Sequence, residues 1–232
     1  MKVSRLKIRN FRGIKEANIV FPKHVVLIGD NNTGKSTIFE ALDLALGPDR
    51  INRNPVIDEH DFYEGRYVAD QAGGEKPLIQ IEVTITDLSS EQNSHFQDYL
   101  EWWDIKKNEL QISPPPSSID PSNIVSAIRI SFRGQYDEEE DDFKGATFYS
   151  RSIEESENPI SFLRRDKYLC GFLYLRTVRT GSRALSLEHG SLLDIILRIK
   201  ELRPQIWENT ISEVGQFDVA SRSEEHTSEL QS

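Results

Sequence analysis

The sequence predicts an α/β fold class: a mixed sheet opened by an N-terminal β-hairpin, with at least one helix packed on it. Three patterns predict it. Apolar and polar residues alternate at 2–9, 79–85 and 124–133, the period-two signature of strands with one buried face. The continuous apolar run Val25-Val26-Leu27-Ile28 leads through a glycine-containing loop into residues 36–46, whose apolar positions recur at helical spacing. Composition supplies the core: 37% of the 232 residues are hydrophobic, enough to exclude wholesale disorder.

In chain order, Leu6 and Ile8 face one way and Arg5, Lys7 and Arg9 the other, giving the first strand. Phe11-Arg12-Gly13 makes a turn, and residues 14–20 return as its hairpin partner. The run at 25–28 reads as a short strand buried on both faces. The helix over 36–46 presents Ile38, Leu42, Ala45 and Leu46, and Gly47-Pro48 stops it. Residues 50–77 are polar and read as a long loop. Ile79, Ile81, Val83 and Ile85 mark a strand, and residues 89–104 read as a helix carrying Phe96, Tyr99, Leu100 and Trp103, with Trp102 beside it. Pro114-Pro115-Pro116 is a rigid connector. Strands at 124–133 and 145–150 flank six consecutive acids, Asp137-Glu138-Glu139-Glu140-Asp141-Asp142, whose repulsion fits a solvated hairpin loop. Phe172-Leu173-Tyr174-Leu175 reads as a further buried strand, and residues 187–202 as an amphipathic helix ending before Pro204.

The loop after the 25–28 run carries the chemistry. Gly29-Asp30-Asn31-Asn32-Thr33-Gly34-Lys35-Ser36 fits G-x-x-x-x-G-K-[ST], with Thr37 next. Glycines let the backbone turn so that successive N–H groups face a phosphate, and the helix N-terminus adds partial positive charge. Lys35 is placed to reach the β/γ-phosphates and Ser36 to join the shell of Mg²⁺, which prefers hard oxygen ligands. The strand–loop–helix context separates this motif from an ordinary glycine turn. The expected ligands are ATP and Mg²⁺, held by Gly29, Asn31, Asn32, Thr33, Gly34, Lys35, Ser36 and Thr37.

The flanks choose among P-loop NTPases. Leu6-Lys7-Ile8-Arg9-Asn10-Phe11-Arg12-Gly13-Ile14, followed by a strand and the phosphate loop, resembles the ABC-type ATPase heads of the RecF, SMC and OLD groups. Asp58-Glu59-His60-Asp61-Phe62, and Phe172-Leu173-Tyr174-Leu175-Arg176 with Arg179 and Arg183, resemble the OLD (overcoming lysogenization defect) family of ATP-dependent endonucleases. The likeness spans roughly residues 1–215. It implies that Arg12 lies near the base or phosphates and that Asp61 contacts the metal shell or its waters. It also implies that ATP controls DNA cleavage by a C-terminal Toprim nuclease domain, in a protein that is at least a dimer.

Such an ATPase also needs a Walker B strand ending in Asp-Glu and a signature loop, and no segment of this sequence qualifies: Ile79 to Asp87 is followed by Leu88, and Leu192-Leu193-Asp194 continues a helical pattern. The catalytic residues are therefore unknown at this stage. Arg222-Ser223-Glu224-Glu225-His226-Thr227-Ser228-Glu229-Leu230-Gln231-Ser232 matches the translation of a common short-read sequencing adapter. The expectation is an incomplete ATPase head over residues 1–221, a non-native tail over 222–232, and a natural protein that continues further. Without the tail, which holds one arginine and three glutamates, the net charge moves from −10 to −8. This piece alone is expected to bind nucleotide weakly with little turnover.

A RecF/SMC-like DNA-repair ATPase without a nuclease is the alternative. A small kinase or GTPase is disfavoured, because neither a guanine-reading Asn/Thr-Lys-x-Asp motif nor an arginine-rich lid is present. The basic residues Lys2, Arg5, Lys7, Arg9, Arg12 and Lys15 read as a solvated strand face or as DNA contacts. Histidines 24, 60, 95, 189 and 226 have no ligand spacing, although His60 could approach the nucleotide beside Asp61. One cysteine, Cys170, precludes an internal disulfide and reads as a small buried residue. With no apolar run near ~18 residues and no secretory leader, the expectation is a cytoplasmic protein with no membrane partner.

Overall fold

Alternation along the chain becomes a seven-stranded sheet in the computed structural model, which describes residues 1–48, 50, 55–69, 74, 76–111 and 121–174. The strands are β1 (Lys2–Phe11), β2 (Ile14–Val20), β3 (Ile79–Thr86), β4 (Glu101–Asp104), β5 (Glu109–Gln111), β6 (Ile124–Asp137) and β7 (Asp142–Tyr149). Their order is β2-β1-β3-β6-β4-β5, with β7 also on β6, and every pairing among the described strands is antiparallel. The helices are α1 (Lys35–Leu46), α2 (Ser90–His95), α3 (Ser150–Glu155) and α4 (Arg164–Cys170).

Register follows the apolar pattern. Leu6 stands opposite Val83 and Ile8 opposite Ile81, and these in turn oppose Ile130 and Phe132 on β6. Opposed residues share a face, so this side of the sheet is a continuous apolar surface. α1 lies against it, burying Ala41, Leu42, Leu44, Ala45 and Leu46, while Ile57 and Phe62 join from the loop after the helix. Lys167 of α4 closes the bottom of this layer: its Nζ donates to the Leu44 carbonyl at 3.0 Å, satisfying an acceptor that the helix end leaves open.

The opposite face is polar and is held by charge. Arg129 makes a two-bond fork to Glu101 of β4 at 2.7 and 2.8 Å and another to Glu154 of α3 at 2.8 and 2.9 Å, which holds its guanidinium firmly protonated despite burial. Arg5 and Lys7 both pair with Glu82, and Arg5 also lies over the Trp103 ring at 4.9 Å. Half of the basic N-terminal stretch is thus engaged inside the molecule, since Arg12 is paired as well.

Three readings of the sequence change. Residues 89–104 are not one helix. Ser89 and Gln92 close a capping box on the short α2, a 3₁₀ turn spans Gln97–Tyr99, and Trp102 and Trp103 belong to β4. Pairing with β5 and β6 wins there because Trp103 is buried and Trp102 exposed, a period-two pattern within four residues. The run at 25–28 is not a strand either: no described strand pairs with it, and Val26 and Ile28 are 82% and 91% exposed. A buried strand requires ladder partners on both edges, and the hydrogen bonds of β1 and β3 are spent on β2, on each other and on β6. Phe172, Leu173 and Tyr174 are likewise outside any strand. The triple proline, Arg176, Arg179, Arg183, the helix expected at 187–202 and residues 222–232 lie outside the described residues.

Candidate functional site

The loop between residue 28 and α1 is shaped by its glycines. Gly34 takes φ +89°, a left-handed conformation open to glycine at little cost, and Asn32 takes φ 65°, which asparagine tolerates. Gly29 is required by closeness: a Cβ there would sit 2.9 Å from the Thr33 Oγ1, which donates to the Asp30 carbonyl at 2.9 Å. Lys35 folds back over this turn, its Nζ donating to the Gly29 carbonyl at 2.6 Å and the Asp30 carbonyl at 2.5 Å. The ammonium is therefore held at the mouth of the loop.

α1 opens from Gly34 with no side-chain cap and no acidic residue in its first turn. Its first amides keep the partial positive charge of a helix N-terminus without a carboxylate to neutralise it. Asn31, Asn32, Thr33 and Ser36 are exposed around this end, and Thr37 is half-buried. An uncapped helix N-terminus, a left-handed glycine and a lysine held on the loop make a donor set suited to phosphate. When bound, Mg²⁺ would supply charge neutralisation at the phosphates, with the Ser36 hydroxyl as the hard oxygen nearest the helix start.

The hairpin and the loop after α1 meet beside this site. A Cβ on Gly34 would lie 3.8 Å from the Ile14 Cδ1, so the hairpin turn packs against the phosphate loop. Arg12, at φ 50°, directs its Nε to the Asp61 Oδ1 at 2.7 Å and pairs through Nη1 with Glu40 of α1. The Arg12 amide donates to the Asp61 carbonyl at 2.8 Å, and Phe11 and Phe62 form an antiparallel bridge. Asp58 and Asp61 build a capping box around a 3₁₀ turn at Glu59–Asp61. Asp61 is buried and its second oxygen accepts from the Asp58 amide at 3.2 Å, so direct ligation of a metal would cost it one of these bonds. His60 points to solvent and pairs with Glu59.

The structure thus brings Arg12, Asp61 and the loop from 29 to 37 into one neighbourhood. Sequence reasoning missed Glu40, whose partner lies 28 positions upstream in sequence and is set only by the fold. A glutamate on the helix that follows the motif, on the same side as an arginine turn, was the available signal.

Comparison with known proteins gives three findings. A family model described as an AAA ATPase domain matches residues 1–163. An uncharacterized protein of Mycobacterium tuberculosis and one of Mycobacterium bovis are each 50% identical over 48 residues, and the RecF DNA replication and repair protein of Agrobacterium fabrum is 40% identical over 60 residues. These alignments cover 20%, 20% and 25% of this chain but only 6%, 6% and 16% of the relatives' own lengths. A solved structure from work on ATP-driven dimerization and DNA-stimulated activation of SMC ATPases aligns over 88% of this chain and 98% of its own, with 13% identity and a TM-score of 0.40. None of the described helices is long and apolar enough to cross a membrane. On the match across residues 1–163, which takes in the sheet, the phosphate loop and the Arg12–Asp61 junction, the chain belongs to the AAA ATPase domain family.

Proposed function

We propose that residues 29–37 bind ATP with Mg²⁺, in the N-terminal ATPase portion of an ATP-dependent DNA endonuclease of the OLD type. The observation that carries the nucleotide reading is the uncapped N-terminus of α1 behind Gly34, with Lys35 held at its mouth. Lys35 holds the β/γ-phosphates, Ser36 the Mg²⁺, and the loop amides the remaining phosphate oxygens. Arg12 and Asp61 stand at the same edge, Arg12 towards the nucleotide and Asp61 towards the metal shell. The endonuclease reading is supported by Asp58-Glu59-His60-Asp61-Phe62 and by its docking on the hairpin through Arg12. In the whole protein, ATP would regulate cleavage by a Toprim domain, in a cytoplasmic assembly of at least two subunits. The local identity to RecF favours, as second reading, a DNA-repair ATPase without nuclease.

Nucleotide binding is tested by titrating MgATP into the chain and into its Lys35→Ala variant. The expected result is weak binding by the natural sequence, a further loss of ten-fold or more in the variant, and little turnover in either. Equal binding by both would overturn the reading. Incubating the full-length protein with supercoiled DNA, MgATP and Mn²⁺ separates the two whole-protein readings: nicking supports the endonuclease, and ATP turnover without nicking supports the repair ATPase.

A further inference from the structure

Glu40 belongs to no phosphate-loop motif, yet it completes a three-residue ionic chain that joins separate elements. Arg12 sits on the β1–β2 turn, Asp61 in the loop after α1, and Glu40 on α1 itself, five residues past Lys35. One guanidinium spans them: Nε bonds Asp61 and Nη1 pairs with Glu40. The Glu40 carboxylate is only a quarter exposed and that of Asp61 nearly buried, so both pairs are shielded from full solvent screening.

The chain of contacts has a direction. An anion at the N-terminus of α1 acts on the first turn, and a helix transmits displacement as a rigid rod. Glu40 rides on that rod about 7.5 Å further along the axis at 1.5 Å per residue. Arg12 carries any movement of Glu40 to Asp61, whose other oxygen accepts the Asp58 amide and so fixes the 3₁₀ turn. The same loop is tied back to the hairpin by the Tyr63 amide donating to the Asn10 Oδ1 at 3.3 Å and by the Phe11–Phe62 bridge. Ile14 of that hairpin already packs at Gly34, which closes the circuit on the phosphate loop.

We propose that Glu40 is a positioning residue that couples nucleotide occupancy of residues 29–37 to the order of residues 58–65, through Arg12 and its bond to Asp61. This rests on the nucleotide reading of the loop. Coupling of this kind is reciprocal: whatever bound nucleotide does to the order of the turn, an ordered turn does to nucleotide affinity.

The test is amide hydrogen exchange on the whole chain with and without MgADP, for the natural sequence and for Glu40→Gln. With the natural sequence, MgADP is expected to slow exchange at residues 34–38 and, with it, at 58–65. In Glu40→Gln the slowing at 34–38 persists, while the slowing at 58–65 falls by about fivefold or more, the low end of measured couplings. Glu40→Ala removes the same contact while keeping a strong helix former in α1, and serves if Glu40→Gln does not fold. A purely structural ion pair predicts otherwise: residues 58–65 indifferent to MgADP, or a variant that responds like the natural sequence, and either result overturns the proposal. No slowing anywhere with the natural sequence would remove the nucleotide reading and this inference with it, a pattern distinct from protection confined to 34–38.

Discussion

Lys167 is fully buried, and burial lowers its ammonium to about 7 although Asp43 nearby favours the charged form. The unfolded chain holds that proton up to its ordinary value of 10.5, while the folded chain releases it near 7. Between these values the unfolded state binds more protons, so this residue makes stability rise with pH, by up to about 1.4 kcal/mol per pH unit, and adds no slope below about 7. Chemical denaturation of Lys167→Met at pH 6, 8 and 9.5 is expected to lack that rise; an identical slope in both proteins would refute the assignment. Cys170, one turn along the same helix, has its thiol pushed up to about 12 by burial. A thiol reagent at pH 8 is therefore expected to label it at the rate of unfolding, and rapid labelling of the native protein would count against this environment. Sequence showed the burial of Cys170 but not the buried lysine. Lys167 is an ordinary surface residue until α4 lays it against the end of α1.

β6 and β7 pair glycine with glycine, Gly134 opposite Gly145, and the Phe132 ring lies across both. A Cβ at Gly145 would meet the Phe132 Cζ at 2.7 Å, and one at Gly134 the Ile57 Cδ1 at 2.6 Å. Gly145→Val is expected to cost about 1–3 kcal/mol by overpacking, read as a lower denaturation midpoint with unchanged slope. A shift within error would show that Phe132 can turn aside. Alternation made β1, β3 and β6 readable, because each buries one full face along its length. The capping signals of α2 were present at Ser89 and Gln92, but the aromatic run after it carries helical and strand spacing alike. Trp103 chooses the strand because β6 offers an open edge at Ile124 to Ala127. The glycine turn at residues 29–34 and the helix after it were legible since both are set by local sequence, whereas the Arg12–Glu40 pair depends on a hairpin folding over a helix.

For the whole molecule, the largest departure from the sequence reading is the apolar run before the phosphate loop. Four residues that read as buried core lie outside the sheet, with Val26 and Ile28 in solvent. Beside them, Val25 and Leu27 line a cleft of about 460 Å³ with Ile38, Phe39 and Leu42. Exposed apolar patches of this kind favour association. Light scattering should show this chain self-associating as concentration rises, and Val26→Lys with Ile28→Lys is expected to raise the concentration at which it does. Unchanged scattering would mean that another surface is responsible.

The 14-residue β6 has three neighbours: β3 along one edge, and β4 and β7 in succession along the other. Fraying of β2 or β5 at the ends of the sheet frees one strand alone, but parting β6 dissolves three ladders together. The central amides of β6, from Ile128 to Phe132, are therefore where a native-state exchange experiment meets the global unfolding free energy, and β6 is the seam along which this domain comes apart all at once.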